Sequence, residues 1–191
     1  MIPVALAPHR LRLGLAGTGP AALRRLRALR AAGVEELRVY AGGEDATLAA
    51  EAGAALQPAL PSEAELSHLQ LLWIAGMPRE QFVPLAEAAR RLRVLVNVED
   101  EPDYCDFHAV AEIRRGDLLL TVSTGGAAPG LAGAIRRRLE ACFPAIWAER
   151  VKEAAALRQS WRAQKVPMTE AAQRLEALAD ERCWLSCPKA N

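Results

Sequence analysis

A chain of 191 residues, 51% hydrophobic and 25% charged, is long enough for one full domain and a smaller companion and too apolar to stay disordered. A net charge of +1 argues against nucleic-acid binding through bulk charge. No uncharged apolar run reaches the roughly 18 residues of a membrane span, and the N-terminus lacks the basic start of a leader. The expectation is a cytoplasmic protein with no membrane or nucleic-acid partner, whose Cys105, Cys142, Cys183 and Cys187 are thiols.

The first hundred residues alternate strand and helix signals. LRLGLAG (residues 11–17) is a short apolar strand, and PAALRRLRALRAAG is a helix stopped by Gly33. ELRVYAG is a second strand, followed by a small helix in EDATLAAEAG that ends at Gly53. LQLLWIAG (69–76) is a buried strand, and PREQFVPLAEAARRL a helix with Pro78 at its first position. RVLVNV (93–98) is the next strand. This alternation predicts an α/β domain with a parallel sheet covered on both faces. Beyond Phe107 the pattern changes. FHAVAEI and DLLLTVST read as a strand pair joined by RRG, and the chain from Pro129 to Cys183 is nearly all helical.

Two stretches carry candidate chemistry. Gly17, Gly19 and Ala22 fit G-x-G-x-x-A between a strand and a helix. In that arrangement the first glycine makes a tight turn, the second admits a pyrophosphate, and the alanine lets helix and strand pack closely. A carboxylate normally closes the second strand to hold a ribose hydroxyl. Here Gly42 and Gly43 stand in that place, with Glu44 and Asp45 slightly later. Either those acids substitute, or the nucleotide is held weakly. The second stretch is NVEDEPDYCDF, which crowds Glu99, Asp100, Glu101, Asp103 and Asp106 at the carboxyl end of a strand. Such a cluster suits proton transfer, attraction of a divalent metal, or no more than a solvated acidic loop.

Further on, TVSTGGAAPGLAGAIRRRLEA (121–141) leads a run of apolar residues into Ser123, Thr124, Gly125 and Gly126, and then into a helix bearing Arg136, Arg137 and Arg138. From residue 134 to 165 there are eight Lys and Arg against three acids, a local +5. Hydroxyls and backbone N–H groups at a helix start, backed by arginines, favour carboxylate ligands.

In order and spacing, the glycine turn, NVED and STGGAAPGLA resemble the siroheme synthase dehydrogenase/chelatase family across residues 10–165. The resemblance implies a Rossmann NAD-binding domain (1–110), a small strand-helix dimerisation region (111–145) and a helical C-terminal region (146–191). It implies a homodimer with an active site in a cleft between domains. It further implies oxidation of precorrin-2 to sirohydrochlorin with NAD⁺, and insertion of Fe²⁺ as a chelation substrate. Asp100 matches the family's key aspartate, and the cofactor contacts fall on Gly17, Thr18, Gly19, Pro20, Ala22 and Gly42. Substrate contacts fall on Ser123, Thr124, Gly125, Gly126 and Arg137, and Arg24 matches a family arginine. No resident metal is implied.

The sequence also departs from that pattern. A polar segment of the family reads Gly76, Met77 and Pro78 here, a family lysine is Arg25, and a family proline is Val110. The nucleotide side is thus less well matched than the tetrapyrrole side. Two alternatives stay open: an NAD-independent chelatase or tetrapyrrole-binding protein, and a non-catalytic dimeric scaffold. His108 reads as a surface or interface histidine, Cys183 and Cys187 as structural, and Trp147 and Trp161 as packing residues.

Overall fold

The computed structural model describes residues 2–41 and 45–186. Its contacts divide the chain into two compact units, one running to Ala109 and the other starting at Val110.

The first unit is a five-stranded sheet with helices on both faces. Its strands are β1 (Arg12–Gly17), β2 (Glu36–Tyr40), β3 (Leu56–Gln57), β4 (Leu71–Ala75) and β5 (Leu95–Val98). They lie in the order β3-β2-β1-β4-β5, every pair parallel. The helices are α1 (Gly19–Ala31), α2 (Ala46–Ala52), α3 (Glu63–Leu66) and α4 (Arg79–Arg91).

The apolar runs explain the sheet. A parallel strand is covered on both faces, so its residues need not alternate in polarity. Leu13, Leu15 and Val39 join Ala22, Leu26 and Leu29 of α1 and Leu48 of α2 in one apolar layer. On the opposite face Leu72, Ile74, Val96 and Val98 meet Leu66 of α3 and Phe82, Leu85, Ala86 and Ala89 of α4. Leu15, Leu26, Leu48 and Leu72 are fully buried, each contributing about 1.5–3 kcal/mol. α1 ends where the sequence predicts: Gly33 adopts φ +82°, and the N–H of Val34 returns to Leu29 O at 3.2 Å.

Three local readings change. Pro78 is the N-cap of α4 in extended backbone, one position before the helix. β3 and α3 were not visible in the sequence pattern, and both are too short to carry a period. The strand read from FHAVAEI begins only at Ala111. Phe107 belongs to the first unit, where Asn97 Nδ2 donates to its carbonyl at 2.8 Å and Trp73 meets its ring edge-on at 4.7 Å.

The second unit opens with a hairpin, β6 (Ala111–Arg115) and β7 (Leu118–Val122), turning through Gly116 at φ +59°. Three helices follow: α5 (Pro129–Cys142), α6 (Trp147–Ala163) and α7 (Met168–Glu181). Among the described residues, its buried side chains are Ile113, Ala132, Ala179 and Trp184. The Arg150 guanidinium lies 5.1 Å from the ring of Trp147 and 5.6 Å from that of Trp184, and donates to Trp184 O at 3.1 Å. This cation–π sandwich ties α6 to the chain beyond α7. Trp161 stacks beneath Arg174. Cys105 and Cys183 are free thiols.

Candidate nucleotide site and acidic loop

In an open α/β sheet, ligands bind beyond the carboxyl ends of the strands, where the strand order reverses. Here the reversal falls between β1 and β4, and the chain does something specific at that point. Gly17 leaves β1 at φ +132°, so close to β4 that a Cβ would stand 1.8 Å from Ala75 O. Gly76 leaves β4 at φ +67°, and a Cβ there would stand 2.1 Å from Thr18 O. Thr18 Oγ1 donates to Gly76 O at 3.3 Å. The two turns therefore interlock, and only glycine fits at either contact. Gly76, which reads in the sequence as a lost polar group, is a steric requirement.

Gly19 begins α1 at φ +73°, and nothing lies within 4 Å of where its Cβ would be. The Cα face at this helix start is thus open to an approaching group, and the helix dipole favours an anion there, which the Asp45 carboxylate on the Gly19 N–H already exploits. Pro20 follows at the second helical position, and Ala22 is fully buried against the sheet. A cavity of about 200 Å³ lies beside the turn, lined by Gly17, Thr18, Gly76, Met77 and Pro78 among others. Gly42 lies outside the described residues. Asp45 is described: its Oδ2 accepts from Gly19 N–H at 2.8 Å and its Oδ1 from Leu48 N–H at 2.9 Å. These bonds, Leu48's first, hold its carboxyl below the usual carboxylate range.

The acidic loop separates into distinct roles. Asp106 turns back on β5: its N–H donates to Val96 O at 2.7 Å, and its Oδ2 accepts from Val96 N–H at 2.9 Å. Arg90 Nε pairs with the same carboxylate at 3.0 Å. Cys105 does likewise one step along, donating to Val98 O at 3.2 Å and accepting from Val98 N–H at 3.4 Å. Burial raises the Cys105 thiol pKa. Glu99 meets Arg24 at 3.4 Å, and Glu101 meets Arg79 at 3.8 Å. Asp100 and Asp103 are both exposed and make no hydrogen bond or ion pair among the described residues, and Asp100 alone of the loop's acids adopts a left-handed backbone, at φ +65°. Aspartate tolerates the left-handed region better than most residues. Among the described residues no three or more His, Cys, Asp or Glu gather as a metal site, so the divalent-metal reading of the loop finds no support. His108 is exposed, and Cys187 lies outside the described residues.

In the second unit, the loop before α5 is built on its own hydroxyls. Ser123 Oγ accepts from Gly125 N–H and Thr124 Oγ1 from Ala128 N–H, both at 3.2 Å. One of the amides read as an anion donor, that of Gly125, is therefore used internally. Gly126, at φ +85° and open above its Cα, keeps an N–H with no hydrogen bond among the described residues. Arg136 is tied to Glu140 at 2.7 Å, while Arg137 and Arg138 are exposed.

A five-stranded parallel sheet with a glycine turn at its switch point defines the first unit as a Rossmann-type nucleotide-binding domain. A family described as putative NAD(P)-binding matches residues 4–111, and the chain belongs to it. The siroheme synthase of Methylococcus capsulatus is 34% identical over 168 residues, covering 87% of this chain and 35% of the relative. Siroheme synthase 1 of Aeromonas salmonicida is 35% identical over 133 residues, covering 68% and 28%. The resemblance to siroheme synthases is thus borne out, and the chain spans about a third of the length of the curated relatives it matches. The solved structure of SirC, precorrin-2 dehydrogenase, superposes with a TM-score of 0.73 at 19% identity, covering 97% of this chain and 93% of that one. The expected fold, a Rossmann-like sheet followed by a strand pair and helices, is therefore found. No helix among the described residues is long and apolar enough to cross a membrane.

Proposed function

We propose that the chain is an NAD⁺-dependent precorrin-2 dehydrogenase that forms sirohydrochlorin for siroheme synthesis in the cytoplasm. The observation that carries this reading is the interlocked turn pair, which leaves the Cα face of Gly19 open at the switch point. The names of the relatives and of the matching structure supply the substrate class.

The residues present fit the nucleotide. Gly17 and Gly76 bring the turns together, Gly19 leaves room for a pyrophosphate, and the start of α1 favours its charge. NAD⁺, when bound, supplies the hydride acceptor. Loss of a hydride from a macrocycle is coupled to loss of a proton, and Asp100, which matches the family's key aspartate, is one of two acids of the loop, with Asp103, that are exposed and have no hydrogen bond or ion pair among the described residues. Its carboxylate accepts that proton. In the second unit, the Gly126 N–H and the exposed Arg137 are suited to substrate carboxylates, alongside Ser123, Thr124 and Gly125. Fe²⁺ enters as the substrate of a following chelation step, in which Asp100 takes a pyrrole proton. A homodimer completes the reading: Leu119, Leu131, Ile135 and Ile146 are exposed on a unit with few buried side chains.

The test is incubation with precorrin-2 and NAD⁺ while following sirohydrochlorin absorbance. Turnover is expected, and Asp100→Asn is expected to lower it by about 10²-fold or more. Unchanged turnover in that variant removes Asp100 from the mechanism. Tetrapyrrole binding without any NAD⁺-dependent oxidation overturns the dehydrogenase reading in favour of a chelatase.

A further inference from the structure

Asp100 is the strained position of its loop, at φ +65°, and a residue with a side chain keeps such a conformation only where its surroundings hold it there. Its two neighbours are each held twice. Their backbones return to the sheet: Glu99 N–H donates to Ile74 O at 2.9 Å, and Glu101 N–H to Val98 O at 3.2 Å. Their carboxylates pair with arginines of two different helices, Glu99 with Arg24 of α1 and Glu101 with Arg79 of α4.

Arg79 does more than pair. Its Nη1 lies 3.8 Å from Glu101 Oε2, and its Nη2 donates to Tyr104 Oη at 2.9 Å. Its guanidinium stands 5.2 Å from the centre of the Tyr104 ring and 5.9 Å from that of Phe82. Phe82, one turn further along α4 and buried, meets the Tyr104 ring edge-on at 5.2 Å. Tyr104 is thus wedged between two side chains of α4. Glu101 and Tyr104 also bracket the short turn Pro102–Tyr104, where Tyr104 N–H donates to Glu101 O at 3.0 Å. One arginine therefore spans both ends of the turn that follows Asp100, using a planar fork that a lysine lacks. The same turn carries Asp103. In the sequence, Arg79 directly follows Gly76, Met77 and Pro78, the segment that departs from the family pattern.

We propose that Arg79 is a positioning residue for the proton transfer: it holds the Glu101–Tyr104 turn against α4 and so fixes Asp100 where it receives the proton. This rests on the dehydrogenase reading above, with Asp100 as the acceptor. Arg79 acts through the loop and not as a ligand of the nucleotide.

The experiment is steady-state oxidation of precorrin-2 by the whole chain, joined to NAD⁺ calorimetry without tetrapyrrole. The Arg79 side chain is 64% exposed, so its truncation leaves no cavity in the core. Arg79→Ala is expected to lower kcat by about tenfold, with NAD⁺ affinity kept within about twofold. Added to Asp100→Asn, the same change is expected to lower kcat by no more than about twofold further, because the acid it positions is already disabled. Tyr104→Phe removes the hydroxyl alone, and is expected to lower kcat and to add nothing to Arg79→Ala. Arg91→Ala removes another exposed arginine of α4, one paired with Glu63, and is expected to leave kcat unchanged. Full kcat in Arg79→Ala overturns the assignment, as does an equal loss in Arg91→Ala or full additivity with Asp100→Asn. A loss of NAD⁺ affinity of about tenfold in Arg79→Ala also overturns it, by making Arg79 a nucleotide ligand. Each of these results leaves the dehydrogenase standing. Unchanged turnover in Asp100→Asn, or no sirohydrochlorin from the unmodified chain, overturns the reading beneath the proposal and the proposal with it.

Discussion

Replacing Gly17 or Gly19 with alanine adds the same methyl group two positions apart, and the structure assigns the two changes opposite consequences. At Gly17 the new Cβ stands 1.8 Å from Ala75 O, and reaching even 3.0 Å requires the backbones to part by about 1.2 Å. The two residues are register partners in the β1–β4 ladder, so that parting breaks the centre of the sheet. Backbone strain at φ +132° costs about 1–3 kcal/mol and a lost ladder hydrogen bond about 1 kcal/mol more. With repacking, the total is about 3–5 kcal/mol, or a melting temperature lower by roughly 12 °C or more. At Gly19 no atom lies within 4 Å, so only the φ of +73° is penalised, by about 1–2 kcal/mol. That variant is expected to stay folded and to lose NAD⁺ affinity by about tenfold or more, because its methyl fills the space kept for the pyrophosphate. Thermal unfolding by far-UV circular dichroism and NAD⁺ titration separate the two. The reasoning is refuted if Gly17→Ala melts within about 2 °C of the unmodified chain, or if Gly19→Ala binds NAD⁺ unchanged.

Two further outcomes follow from the acids. Asp106→Ala leaves the Val96 N–H without its acceptor and removes the Arg90 pair, a loss of about 1–3 kcal/mol. Asp106→Asn, which keeps an acceptor, is expected to cost less, and equal urea midpoints for the two variants would refute that role. Acid is expected to weaken the first unit through Asp45, Glu51 and Glu65. Backbone bonds from Leu48 and Gly19, the Arg27 hydrogen bond and the Ser62 hydrogen bond respectively hold these groups below the usual carboxylate range. Because the folded values are depressed, their contribution is fully present above the unfolded pKa of about 4 and is lost as pH falls through the folded values. A urea midpoint that stays flat from neutral pH to well below 4 counts against it.

The sheet was legible because both of its faces are buried, so whole strands are apolar and the glycine turn sits where one strand ends. What escaped the sequence depends on contacts between distant residues. Gly76 reads as a missing polar group because nothing local reveals the Thr18 carbonyl lying 2.1 Å from where its Cβ would be. Asp106 reads as a member of an acidic cluster and Cys105 as a thiol, yet their partners are backbone groups of Val96 and Val98. β3 spans Leu56–Gln57 and is defined only by pairing with Val39 and Tyr40. The hydroxyls of Ser123 and Thr124 were legible as polar, but not as acceptors already taken by Gly125 and Ala128. Asp45 stood too far past the second strand for sequence spacing alone to decide its role, and its bond to Gly19 decides where it reaches.

The returning bonds of Cys105 and Asp106 to β5 close the chain on itself. Between those anchors the residues from Glu99 to Tyr104 form a short ring, pinned at both ends to a buried strand. A free loop of this length would sample many shapes and would have to be ordered each time a ligand arrived. A ring has that ordering completed during folding, so Asp100 is held in its left-handed turn beforehand. The thiol and the carboxylate thus serve as the clasp of the motif, and Asp100, the residue proposed to take the proton, lies in the part that the clasp leaves open.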